Sequence, residues 1–172
     1  MKKFINKPDE VVSDMLQGIV AAHPDTVRLI EGTGCLIRSD APIQGKVGLV
    51  TGGGSGHEPA HGGFVGKGML DAAVAGNVFA SPPADQMYEA IKAVSGGAGV
   101  LCIIKNYTGD ILNFGAAREL ASFDDIATDQ VIVNDDVAVK NSLYTTGRRG
   151  VAGTVFVHKI AGAKADSGAS LQ

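Results

Sequence analysis

Cysteine is scarce: Cys35 and Cys102 are the only two in 172 residues. They stand far apart, and Cys102 lies inside an apolar run where a thiol fills core space, so neither a disulfide nor a thiolate metal site is expected. His23, His57, His61 and His158 have no zinc-ligand spacing with those cysteines. The segment HEPAH also departs from HExxH, because Pro59 breaks the helix that motif requires. Positive charge is not in excess. With 15 Lys and Arg against 18 Asp and Glu the net charge is -3, which provides no basic footprint for nucleic acid, and no lysine-rich amphipathic stretch suits a membrane surface. No run of about eighteen apolar residues could cross a bilayer. The lysines at the N-terminus lead into no apolar stretch of the signal-peptide kind, so the cytoplasm is the expected compartment.

Glycine is abundant, 24 in all, and most crowded in KVGLVTGGGSGHEPAHGGFVGKG, Lys46 to Gly68. Val47, Leu49 and Val50 predict the end of a buried strand. Gly52, Gly53, Gly54 and Gly56 then predict a turn through backbone angles closed to other residues. Such a turn bares N–H groups that can form a nest for an anion or a hydroxyl-rich ligand, with His57 and Glu58 at its edge. The competing reading is a tight turn that binds nothing. Both nucleotide motifs fail here. A Walker loop ending at Gly66 and Lys67 needs glycine at His61 and Ser or Thr at Gly68. The pattern GxGxxG meets His57 or Pro59 at its last position.

The length suits one domain, and 45% hydrophobic residues suffice for a sizeable core. Val11, Val12, Met15, Leu16, Ile19 and Val20 have the spacing of one buried helical face, predicting a helix over Asp9–Ala22 that Pro24 stops. A short apolar run at Cys35–Ile37 precedes the glycine stretch. Ser81, Pro82 and Pro83 open a second helix with Met87, Ile91 and Val94 on one face. Val100–Ile104 reads as a strand covered on both faces, discharging into a polar loop, Lys105–Asp110. A helix over Ile111–Leu120, a strand at Val131–Val133 running into Asp135 and Asp136, and a last helix over Val151–Ala163 complete the order. This alternation predicts a three-layer α/β/α domain with a mainly parallel sheet, its polar loops sharing the edge beyond the strands' carboxyl ends.

GGGSGHEPAHGGFVGKGML, IIKNYTGDILNF and GRRGVAGTVFVHKI together resemble the substrate-binding subunit of the dihydroxyacetone kinase family, in that family's order and over nearly the whole chain. The resemblance implies a kinase subunit that presents a hydroxyl of dihydroxyacetone for phosphoryl transfer, giving dihydroxyacetone phosphate. Carried over residue by residue, the substrate contacts fall on Gly54, Ser55, Gly56, His57, Lys105 and Asp110, with His57 and Asp110 catalytic. It implies no metal or cofactor in this chain. ADP or ATP with Mg belongs to a partner, either the phosphoryl-donor subunit of a phosphotransferase-system-linked kinase or a fused domain. A homodimer is implied. In the family a further histidine, in the C-terminal half, holds the ketone as a hemiaminal; residues 1–172 are therefore expected to be the N-terminal substrate-binding domain alone. Relatives that bind dihydroxyacetone as transcriptional co-activators, or bind a fatty acid, give the alternative, a non-catalytic binder.

The residues also bear the kinase reading on their own chemistry. A hydroxyl attacks phosphorus better as its proton leaves, so a base within hydrogen-bond reach is the first requirement. A histidine exchanges a proton near neutral pH, and an aspartate can orient the hydroxyl or the imidazole. His57 could instead cap a helix. Lys105 could be a solvated strand end, or an ammonium that binds a substrate oxygen and softens charge on the arriving phosphoryl group. Asp135 and Asp136 are read as helix caps, not magnesium ligands. Arg148 and Arg149 fit either a phosphate clamp or the solvated start of a helix.

Overall fold

The structure, a computed structural model, describes residues 2–139 and 147–172. Alternation along the strands builds its two cores. In β5, Val100–Lys105, Val100, Cys102 and Ile104 point to one face and Leu101 and Ile103 to the other, as period-two geometry requires. The same division separates Val50 from Leu49 in β3, Gly48–Ser55, and Cys35 and Ile37 from Leu36 in β2, Cys35–Arg38. Helices α2, Ala84–Val94, and α3, Thr108–Phe123, cover the first face through Met87, Ile91, Phe114 and Ala117. Helices α1, Val11–Ala22, and α4, Thr154–Asp166, cover the second through Leu16 and Ala165. The expected three layers are present. Both thiols are buried, and desolvation pushes Cys35 up to about 11 and Cys102 to about 12, which leaves them poor nucleophiles.

Two strands that the sequence reading passed over, β1, Val27–Leu29, and β4, Ala72–Val78, bring the sheet to six, in the order β1-β2-β4-β3-β5-β6. β3 to β6 run parallel, whereas β1 and β2 add an antiparallel margin. Segment ends also differ from the reading. The first helix proper starts at Val11 after a 3-10 turn over Pro8–Glu10. The last strand, β6, is longer, Thr128–Val133, and α4 begins three residues later than expected. α3 begins earlier, so Asp110 lies in its first turn and not in a loop; a carboxylate there faces the positive end of the helix dipole.

The glycine-rich stretch is the main correction. Gly52, Gly53 and Gly54 do not turn: they extend β3 and pair with Val74, Ala75 and Gly76 of β4. Of the four glycines read as a turn, only Gly56, at φ 112°, needs the left-handed region. Close approach explains the others. A Cβ on Gly54 would lie 2.6 Å from the Ala80 nitrogen and 2.8 Å from the Phe79 carbonyl carbon, and one on Gly53 would collide with the Lys105 Nζ. The backbone N–H of Gly56 donates to the Glu58 carboxylate at 3.1 Å, so the chain's own anion occupies the expected nest.

At the opposite edge of the parallel strands, Asp71 holds the sheet together. It is 3% exposed and pairs with Arg38 Nη1 at 3.2 Å and Lys46 Nζ at 2.5 Å, while its Oδ2 also accepts the Leu49 N–H at 2.8 Å. Lys46 in turn reaches Asp166 of α4 at 3.6 Å. Asp71→Ala would leave buried Lys46 with only Asp166, at 3.6 Å, and Arg38 with only the exposed Asp40, at 2.7 Å, so a loss of about 3 kcal/mol, the lower end for breaking a buried pair, is expected in urea unfolding. A loss below about 1 kcal/mol, the scale of an exposed pair, would show that this cluster is not an anchor.

Candidate active site

Parallel strands bring their carboxyl ends to one edge, and there the loops enclose a cleft of about 580 Å³. Gly54 ends the open part of β3, His57 follows it, Phe79 and Ser81 follow β4, and Lys105 closes β5. Asp110 rises from the first turn of α3, and residues 150–152 form the far wall. Lys105 is 6% exposed and Asp110 2%; the reading of Lys105 as a solvated strand end is therefore wrong. Burial lowers the Lys105 pKa, while Asp110 opposes that shift. Its Nζ lies 3.3 Å from Asp110 Oδ2 and donates to the Gly52 carbonyl at 2.6 Å. The other carboxylate oxygen of Asp110 accepts from Ser81 Oγ. A paired ammonium and carboxylate with a hydroxyl between loop and helix can bind and orient a small polyol, because each charged group keeps a directional bond to offer once a ligand enters.

The far wall is tied down from below. Asp135 accepts the N–H groups of Val151 and Gly153, each at 2.7 Å; both donors lie before α4 begins at Thr154, so Asp135 fastens the loop and is not the expected helix cap. Gly150 lets the wall approach, since a Cβ there would lie 2.9 Å from that of Lys105. Arg148 donates to the Val139 carbonyl at 3.1 Å, and the Arg149 guanidinium stacks 5.5 Å from the centre of the Tyr107 ring. Among the described residues no group of three His, Cys, Asp or Glu could hold a metal ion.

A family model for the Dak1 domain matches residues 17–172. The chain belongs to the Dak1 domain family. A Listeria innocua protein, the dihydroxyacetone-binding subunit DhaK of PTS-dependent dihydroxyacetone kinase 1, is 60% identical over 172 residues, which cover 100% of this chain and 52% of the relative. The crystal structure of the dihydroxyacetone kinase of C. freundii with AMP-PNP and Mg2+ superposes with a TM-score of 0.92 at 45% identity, covering 99% of this chain and 32% of that one. A dihydroxyacetone kinase operon co-activator, Dha-DhaQ, superposes at 0.84 with 40% identity, covering 92% of this chain and 48% of the other. The chain spans about half the length of the curated bacterial subunits it matches.

Within this Dak1 domain, Gly54, His57, Lys105 and Asp110 meet in the cleft. The Ser55 hydroxyl does not join them: it is buried and donates to the Gly76 carbonyl at 2.7 Å. Gly56 offers no open N–H. The sequence reading missed Ser81 as a site residue because β4, whose end delivers it, was not recognised. It also missed His61 and His158, set aside as zinc ligands, which stack behind His57. Burial and the charge of Lys105 hold both imidazoles neutral, at about 2 for His61 and about 4 for His158. An unfolded histidine titrates near 6.5, so between that pH and the folded value the unfolded chain binds more protons. The stability that these residues contribute is therefore complete above about 6.5 and falls as pH drops. Thermal melts should show Tm falling from pH 6.5 to about 5, with a shallower slope in His158→Leu. An unchanged slope in that variant would refute the neutral burial of His158.

Proposed function

We propose that this chain is the N-terminal, ketose-binding domain of a dihydroxyacetone kinase subunit and presents one hydroxyl of dihydroxyacetone to a phosphoryl donor. The observation that carries this reading is the buried Lys105–Asp110 pair, with the Ser81 hydroxyl, at the sheet edge of a domain whose named relatives bind dihydroxyacetone. Lys105 binds a substrate oxygen and offsets negative charge on the arriving phosphoryl group. Asp110 accepts the hydrogen bond of the reacting hydroxyl and fixes its direction. His57, exposed on the cleft rim, takes the proton as the oxygen attacks phosphorus. The donor nucleotide and its Mg reside on a partner, an ADP-binding subunit or an ATP domain. A further domain completes the subunit, which works as a homodimer in the cytoplasm.

The likeness to the co-activator supports a second reading, in which the ketose is bound and never phosphorylated. Supplying the complete protein with phosphorylated donor separates the two: dihydroxyacetone phosphate forms under the first and not under the second. Asp110→Asn keeps the side chain's shape and removes its charge. In the complete subunit it should lower turnover by roughly a hundredfold or more, with ketose affinity comparatively intact. Unchanged turnover with weakened affinity would move Asp110 to a binding role.

A further inference from the structure

Three of the four histidines form a column running from the cleft into the domain. His57 follows β3, His61 precedes the 3-10 turn Gly62–Phe64, and His158 lies in the middle of α4. Their rings meet edge to face, with centroids 5.7 Å apart for His57 and His61 and 5.5 Å for His61 and His158. His57 is exposed, His61 is buried and His158 is fully buried. His158 Nε2 and His61 Nδ1 face each other at 3.4 Å. Three buried polar atoms flank this contact without a hydrogen-bond partner: His61 Nε2 on one side, His158 Nδ1 and Thr154 Oγ1 on the other. Thr154 stands one helical turn before His158, where i and i+4 side chains meet. Buried polar atoms without partners are rare, and here they cluster on one series that ends at the cleft.

A neutral imidazole has one N–H and one bare nitrogen, so the series can point only two ways. Pointing outward, Thr154 donates to His158, His158 to His61, and His61 to His57; the neutral His57 then carries its proton on the cleft side and cannot act as a base. Pointing inward, His57 donates to His61 Nε2, His61 Nδ1 to His158 Nε2, and His158 Nδ1 to Thr154 Oγ1. The inward setting turns the bare, electron-rich nitrogens toward the cleft, which His57, His61 and the Lys105 ammonium line together. It is favoured for that reason. His61 Nε2 has no hydrogen-bond partner as the rings stand, 5.7 Å apart at their centroids, so the series is completed by reorientation of the exposed His57 side chain.

We propose that His61, backed by His158 and Thr154, is a positioning residue that holds neutral His57 in the tautomer whose cleft-facing nitrogen is bare and can take the proton of the substrate hydroxyl. This rests on the reading of the cleft as the ketose site. The proton passes from the hydroxyl oxygen to that nitrogen, the freed electron pair forms the new bond to phosphorus, and the bond from phosphorus to the donor's bridging oxygen breaks, its electron pair leaving with the donor's remaining phosphate. The phosphoryl donor is the one co-reactant consumed. Histidine tautomers are read directly from long-range proton–nitrogen spectra of the whole chain labelled at its imidazole nitrogens, at a pH where His57 is neutral. His57 should show one dominant tautomer. His61→Leu should return it to the proportions of a free imidazole, and His61→Gln, whose amide oxygen replaces the acceptor, should preserve it. Thr154→Val perturbs the far end without emptying the core, and should weaken the preference if the first variant does not fold. Free-imidazole proportions in the parent chain, or a His57 tautomer indifferent to these replacements, would overturn the proposal. The readout needs neither ketose nor donor. A fixed tautomer with no response to added dihydroxyacetone would therefore count against the substrate assignment and not against the histidine series.

Discussion

A lysine ammonium buried at the end of a central strand constrains this domain more than any other group. Desolvating a cation costs several kcal/mol unless a partner is close and further hydrogen bonds are satisfied. Around Lys105 the chain supplies Asp110 at 3.3 Å and the Gly52 carbonyl at 2.6 Å. Each has a structural precondition. Gly53 must lack a side chain for the ammonium to pass. Gly150 must lack one for the far wall to close against the lysine stem. Gly109 must be small because a Cβ there would lie 2.7 Å from the Ser81 hydroxyl oxygen that binds Asp110. These three glycines thus follow from packing around a charge.

The sheet separates anchoring from chemistry. At the amino ends of the parallel strands, Asp71 neutralises Arg38 and Lys46 in a cluster with every charge paired, leaving nothing to offer a ligand. At the carboxyl ends the charged groups are also paired, but they border a cleft. A second cavity, of about 570 Å³, lies under α1 and shares Gly54, Ala60 and His61 with the cleft. Met15, Leu16, Ile19 and Leu36 give it an apolar wall. It lacks a buried ion pair to orient a polyol, so the cleft is the better site for one.

Much of this was legible from residue patterns, and the failures have physical causes. Helix α2 declared itself by Met87, Ile91 and Val94, and β5 by an apolar run. β4 did not, because its Ala72, Ala73, Ala75 and Gly76 are small for a reason no periodicity shows: Gly76 abuts the carbonyl of Ala80. β1 has three residues, too few for a pattern. Glycines in sequence read as a turn, since flexibility and close packing select the same residue. Lys105 and Asp110 were identifiable as site candidates, but their burial was not, because it depends on loops distant in sequence. The pairing of His61 with His158 spans 97 positions, beyond any local signal.

The central claim, that the Lys105–Asp110 edge is where a ketose binds, is tested most directly by titrating the isotopically labelled chain with dihydroxyacetone and following its backbone amides. Perturbations should centre on Gly54, His57, Lys105 and Asp110, and should vanish in Lys105→Met. Perturbations centred instead on Met15, Ile19 and Leu36, or none at saturating ketose, would contradict it.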